Sequence, residues 1–150
     1  MVRESAWDQG LIQGRKTGVL ISPALPESDD AVICLLDDDP SVLKGLGRLL
    51  SSEGWTARQF LEPLPFLDYT EMHRTPVAII DICMPAMSGL EVQSRLRSVS
   101  PSTRVIVLTG REDPLVQATA LKGGASAFFL KPYDDDELLV AVRMALSALD

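Results

Sequence analysis

Positive charge is scarce in this chain. Lysine and arginine total 14 against 21 aspartates and glutamates, a formal net charge of −7. Contacts to nucleic-acid phosphates depend on clustered Lys and Arg, so this balance argues against nucleic-acid binding through the chain. Long hydrophobic runs are missing too. The apolar stretches are strand-sized, such as Val105–Leu108, far from the roughly 20 residues that a membrane helix needs. No secretory leader is expected, because Val19, Leu20 and Ile21 make too short an apolar segment among polar neighbours. There are two cysteines, Cys34 and Cys83, each in an apolar run, and they read as buried reduced thiols of a cytoplasmic protein. The one histidine, His73, falls at a helix end and reads as a solvated residue, not a ligand or phosphoryl donor. What remains is an ordinary globular composition, 46% hydrophobic and 23% charged over 150 residues, enough to bury the core of one domain.

Residues 1–30 differ from the rest. They carry Gly10, Gly14, Gly18, Pro23 and Pro26 with little periodicity and end in acidic Glu27-Ser28-Asp29-Asp30. The expectation is a mobile arm with at most one extended piece at Val19–Ser22. From Ala31 on, strand and helix signals alternate. Ala31–Leu36 is apolar on both faces, as a buried parallel strand is. Asp39-Pro40 then supplies an N-cap and first helical residue, followed by Val42, Leu43, Leu46, Leu49 and Leu50 at helical spacing. Gly54 closes that helix and Trp55–Phe60 reads as strand two, with Trp55 in the core. Glu62–Met72 is a second helix, with Pro63 and Pro65 near its start. Val77–Ile80 is strand three. Ser88 and Glu91 form a capping pair for a helix that stops before Pro101. Arg104–Leu108 is strand four. Asp113-Pro114 repeats the cap-and-proline device, and Gly123-Gly124 ends that helix. Ala127–Leu130 is strand five, and Asp134–Leu149 is an amphipathic helix. Five strands alternating with five helices imply an α/β fold, a doubly wound parallel sheet with helices on both faces. The expected organisation is one domain over 31–150, with no output domain in the chain.

In such a sheet, ligands bind at the C-terminal ends of the strands, near the point where the strand order reverses. Strand one ends in Asp37-Asp38-Asp39, strand three in Asp81, strand four in Thr109 and strand five in Lys131. Four strands therefore deliver charged or hydroxyl side chains to one edge. Carboxylates about 4 Å apart repel by roughly 4 kcal/mol per pair at an effective dielectric near 20, so such a cluster calls for a cation. Mg2+ suits it, because that ion takes one or two carboxylates, keeps waters and completes its shell with phosphate oxygens. With the Lys131 ammonium and the Thr109 hydroxyl, the set suits phosphoryl transfer to an aspartate. The acidic run Asp134–Glu137 reads as charge favourable to a helix start.

These residues resemble a family. Asp81-Ile82-Cys83-Met84-Pro85-Ala86-Met87-Ser88-Gly89 resembles the phosphoacceptor signature D-x-x-M-P-x-M-x-G of response-regulator receiver domains in two-component signalling. Leu35-Leu36-Asp37-Asp38-Asp39 resembles their acidic pair, Val107-Leu108-Thr109-Gly110 their switch threonine, and Phe129-Leu130-Lys131-Pro132 their lysine-proline. The likeness spans about residues 31–149 and is nearest to receivers of LuxR-type regulators. It implies a flavodoxin-like strand order 2-1-3-4-5 and phosphorylation of Asp81 by a partner histidine kinase or histidine phosphotransfer protein. It further implies Mg2+ held by Asp38, Asp81 and the Cys83 carbonyl, with Asp37 helping through a bound water. Lys131 would contact the phosphoryl group, and its bond to Pro132 would be cis. Phe128 would relay a change at Thr109 to the face made by the fourth helix, fifth strand and fifth helix, where a target or a second copy docks. Three residues depart from the family pattern. Cys83 stands where many relatives carry a polar or amide group, and Arg111 lies two residues after the switch threonine. Both flank the phosphoryl group and so bear on its lifetime. Gly123 replaces a common alanine and is expected to loosen the end of the fourth helix.

Three other functions fit these residues less well. A haloacid-dehalogenase-type phosphatase uses D-x-D after a strand, which Asp37-x-Asp39 matches, but it explains neither Asp81 nor Thr109. A flavin carrier needs a Ser-, Thr- or Gly-rich first loop, and this one is acidic. A receiver-like module that works without phosphorylation would not need the full acidic, hydroxyl and lysine set.

Overall fold

The structure is a computed structural model that describes residues 32–147. The arm, including Trp7 and Val19–Ser22, lies outside the described residues, as does Leu149.

The described chain runs β1 (Val32–Leu36), α1 (Pro40–Ser52), β2 (Thr56–Phe60), α2 (Pro63–Met72), β3 (Val77–Asp81), α3 (Gly89–Val99), β4 (Arg104–Thr109), α4 (Pro114–Lys122), β5 (Ala127–Leu130) and α5 (Asp135–Ser147). All neighbouring strands pair in parallel, in the order β2-β1-β3-β4-β5. The chain leaves β1 toward β2, then crosses back to place β3 on the other side of β1. That reversal opens a crevice at the C-terminal ends of β1 and β3.

The central strands are apolar on both faces because both faces are covered. Ile33, Leu35, Val77, Ile79, Ile106 and Leu108 point into one core, shared with Leu43, Leu46 and Leu50 of α1 and Leu138, Leu139 and Val142 of α5. The alternate residues, among them Leu36, Ala78, Ile80 and Val107, form a second core with Phe66, Val92, Leu96 and Ala120 from α2, α3 and α4. Burying each large apolar side chain contributes about 1.5–3 kcal/mol, so this alternation fixes which face every strand residue takes. Trp55 packs against the first core only in part, with the Arg143 guanidinium 5.9 Å from its ring centroid.

The helix starts follow from local chemistry. Asp39 accepts from the Ser41 N–H at 2.9 Å, Ser88 from Glu91 N–H at 3.3 Å, and Asp113 from Leu115 N–H at 3.0 Å. Pro40 and Pro114 occupy first positions, where no N–H is needed. Gly54 closes the α1 turn at φ +85, a conformation open to glycine. At the other end of the fold, His73 is exposed and its ring stacks on Tyr69 at 4.2 Å.

Candidate functional site

Every strand end but that of β2 delivers a polar residue to the crevice. Asp37 follows β1 and is buried, whereas Asp38 next to it is exposed. Asp81 closes β3 and Thr109 closes β4, both buried. One oxygen each of Asp37, Asp38 and Asp81 lies within 4.8 Å of the others, a hard-oxygen set of the kind that holds a divalent cation. Asp39 stands outside that cluster, with its carboxylate turned back onto the Ser41 N–H as the cap of α1.

Lys131 follows β5 and reaches the same point, and its bond to Pro132 is cis. Its ammonium donates to Asp37 Oδ2 at 2.9 Å and to Asp81 Oδ1 at 3.4 Å. The shorter partner is Asp37, a pairing that sequence reasoning missed because the two residues lie 94 positions apart. The other Asp37 oxygen accepts the Asp39 N–H at 2.9 Å. Burial works to lower the Lys131 pKa, but its two carboxylate partners outweigh it and the net shift is upward. Asp81 also sits above its usual range. Burial is the main cause and the Asp37 charge adds to it, against Lys131 and a hydrogen bond from the Cys83 backbone N–H.

Thr109 and Arg111 are tied together: the Arg111 N–H donates to Thr109 Oγ1 at 3.2 Å, and the hydroxyl donates to the Arg111 carbonyl at 3.3 Å. Cys83 Sγ lies 3.6 Å from the same hydroxyl. These residues, with Met84 and Val116, line a groove of about 400 Å³ under the first turn of α4. Contrary to the sequence expectation, Cys83 is not buried. Its thiol is exposed, because residue 83 lies beyond the end of β3 in the loop that carries the site. Cys34 is fully buried, and burial pushes its thiol up to about 11.

Gly89 is a functional position that only the motif signalled. A Cβ there would lie 2.5 Å from the Asp81 carbonyl and 2.7 Å from Ile82 Cα, so glycine lets the start of α3 close onto the loop after β3. Phe128 is partly buried against the second core and pairs in register with Val107. Gly123 is the C-cap of α4, which ends at Lys122. The room left by its missing side chain is taken by the Gln93 amide.

Comparison with known proteins agrees with this geometry. Residues 33–143 match the response regulator receiver domain. The chain is 38% identical over 116 residues to the response regulator protein TodT of Pseudomonas putida, covering 77% of this chain and 51% of that one. It is 35% identical to the transcriptional regulatory protein FixJ of Azorhizobium caulinodans, covering 81% of this chain and 57% of FixJ. The chain thus spans about half the length of the curated relatives it matches. Among solved structures, a CheY-like receiver domain protein from Methanospirillum hungatei superposes with a TM-score of 0.75 at 25% identity, over 79% of this chain and 94% of that one. The beryllofluoride-activated receiver domain of DrrB gives 0.70 at 28%, over 77% and 97%. Among the described residues, no helix is long and apolar enough to cross a membrane.

Proposed function

We propose that this chain, which belongs to the response regulator receiver domain family, works by accepting a phosphoryl group on Asp81 from the histidine of a partner kinase or phosphotransfer protein. One observation carries the reading: a buried carboxylate at the switch point of the sheet, with a lysine ammonium 3.4 Å away and two further carboxylates close enough to share a cation. A free Asp81 oxygen attacks phosphorus, and the phosphorus–nitrogen bond to the donor breaks with its electron pair returning to the imidazole. Lys131 and the Thr109 hydroxyl stand ready to take phosphoryl oxygens. Asp37, Asp38 and Asp81, with the Cys83 carbonyl as the family supplies it, would hold Mg2+. Bound there, the cation neutralises part of the phosphoryl charge.

The product is a switched surface and not a released metabolite, so the chain acts as a regulatory phosphoacceptor. Its output face is α4, β5 and α5, which carry exposed Leu115, Leu130, Val140 and Met144 for a downstream protein or a second copy. The phosphatase alternative is disfavoured because Asp39 is committed to capping α1, so Asp37 and Asp39 do not converge. Incubation with a small acyl phosphate and Mg2+ tests the proposal by mass spectrometry. One phosphoryl group should be added to the parent and none to Asp81→Asn. Equal labelling of the variant would overturn the assignment.

A further inference from the structure

Two side chains of α3 reach across to the last turn of α4. Gln93 is only 3% exposed, and its Nε2 donates to the Ala120 carbonyl at 2.9 Å. One turn along α3, Arg97 Nη1 donates to the Gly123 carbonyl at 3.0 Å. The carbonyls that end a helix lack donors within it; that of Ala120 accepts the Ala125 N–H and the Gln93 amide, and that of Gly123 accepts Arg97. Gly123 has an ordinary φ of −75 and needs no glycine for its backbone. A Cβ there would instead lie 3.1 Å from Gln93 Nε2 and 3.3 Å from Gln93 Cδ. The glycine is room for the buried amide. Ala120, the acceptor, is the one fully buried residue among those of α4.

The opposite end of α4 is built differently. Leu115 is 76% exposed, and the groove of about 400 Å³ lined by Thr109, Arg111, Cys83 and Val116 undercuts the first turn. The start is capped within its own turn by Asp113, which accepts from the Leu115 and Val116 N–H groups, whereas the end is bonded to α3.

We propose that Gln93, with Arg97 and Gly123, makes the C-terminal end of α4 a pivot about which the N-terminal half moves against the groove beside Thr109. Gln93 is a positioning residue here, since it acts on the helix and touches neither Asp81 nor a phosphoryl group. The pivot is a property of the resting chain. Its use as the phosphorylation response rests on the phosphoacceptor reading of Asp81. Within α4, change is then confined to Pro114–Gln117, while the seam between α3 and α4 at Gly123 stays closed.

Residue-resolved amide hydrogen exchange on the full chain tests this without phosphorylation. The Gly123 and Ala125 amides, bonded to the Thr119 and Ala120 carbonyls, should exchange more slowly than the Gln117 amide, bonded to the Asp113 carbonyl. Gln93→Met keeps the bulk but cannot donate, and should speed exchange of Gly123 and Ala125 by about tenfold. Unchanged Ile79 and Ile106 amides in that variant would show the core intact. Arg97→Ala, at an exposed position, should give a smaller acceleration at the same two amides. If the parent's Gly123 and Ala125 exchange as fast as Gln117, or both variants leave them unchanged, the pivot is overturned. Beryllofluoride with Mg2+ separates the two claims. Shift changes at Leu115–Gln117 with Leu121–Gly124 still would support the pivot, and equal changes at both ends would overturn it. A chain that binds no mimic at Asp81 overturns the phosphoacceptor reading, and the resting exchange pattern then decides the pivot by itself.

Discussion

Replacing Asp81 by Asn should stabilise the metal-free protein at neutral pH, although it removes an ion pair. The Lys131 ammonium at 3.4 Å attracts the Asp81 carboxylate by about 5 kcal/mol at an effective dielectric near 20. Asp37, with an oxygen no more than 4.8 Å from Asp81, repels it by at least about 3.5 kcal/mol on the same scale, and exposed Asp38 adds at least about 0.9 kcal/mol at the dielectric of water. Attraction and repulsion nearly cancel. The deciding contribution is then the burial of the charge, which costs several kcal/mol per ion and which an amide avoids. The raised pKa of Asp81 has the same leading cause. The expected gain is about 1–3 kcal/mol, which for m near 2 kcal/mol/M raises the urea midpoint by roughly 1 M in chelated buffer. The pH dependence has a definite sign. The unfolded chain releases this proton first, near 3.8, and the folded chain at a higher pH. Between those values the folded state binds more protons, so the parent loses stability as pH rises through the window and the advantage of Asn grows with it. Below 3.8 the two proteins should converge. Mg2+ should narrow the gap, since ligand at 100 times its Kd stabilises a binding-competent fold by about 2.7 kcal/mol. An Asn variant less stable than the parent at pH 7 without metal would refute this, and would mean that the Lys131 bond outweighs desolvation.

Other expected outcomes concern single residues. Mg2+ titration should show Asp38→Ala losing at least about tenfold in affinity, the loss that even an outer partner of a metal can cost, and Asp39→Ala losing little, because Asp39 caps α1. The reverse order would move the acidic pair by one residue. Alkylation of the native protein should label Cys83 quickly and leave Cys34 untouched, since Cys34 is 0% exposed and its thiol is pushed up to about 11. Equal labelling would contradict the burial of β1. Phe128→Ala should leave phosphoryl uptake intact while weakening the amide shifts that beryllofluoride causes in α4 and α5. A full response in that variant would remove Phe128 from the relay.

How much of this was readable in the sequence depends on the range of the interaction. Strand and helix bounds agree with the structure to within one or two residues, because caps such as Asp39 and Asp113 and the double-faced apolar runs are local signals. The convergence of Asp37, Asp81, Thr109 and Lys131 was also legible, since a parallel sheet puts every strand end on one side. Side-chain direction beyond a strand end was not. Cys83 looked buried because Ile82 and Met84 flank it, yet the loop turns those two inward and the thiol outward. Gln93 was invisible for a related reason. It lies beside Val92 and Leu96 on α3, and only the approach of α4, 27 residues on, makes its burial favourable by offering a carbonyl.

The polar edge of this fold is therefore a place where stability is given up. Asp37 and Asp81 are buried like charges that the folded chain tolerates through one lysine, and Asp38 adds a third negative charge beside them. A cation or a change of charge on Asp81 shifts that balance by an amount comparable with the energy of one hydrogen-bond network. Thr109 is the nearest part able to respond, since its hydroxyl bonds only with the Arg111 backbone and the Cys83 sulfur among its described partners. Those bonds are long, at 3.2–3.6 Å, and a charged oxygen acceptor at Asp81 would compete with them on favourable terms. Input at the strand ends would thus act on long hydrogen bonds of Thr109, beside the groove that it lines with Val116 of α4.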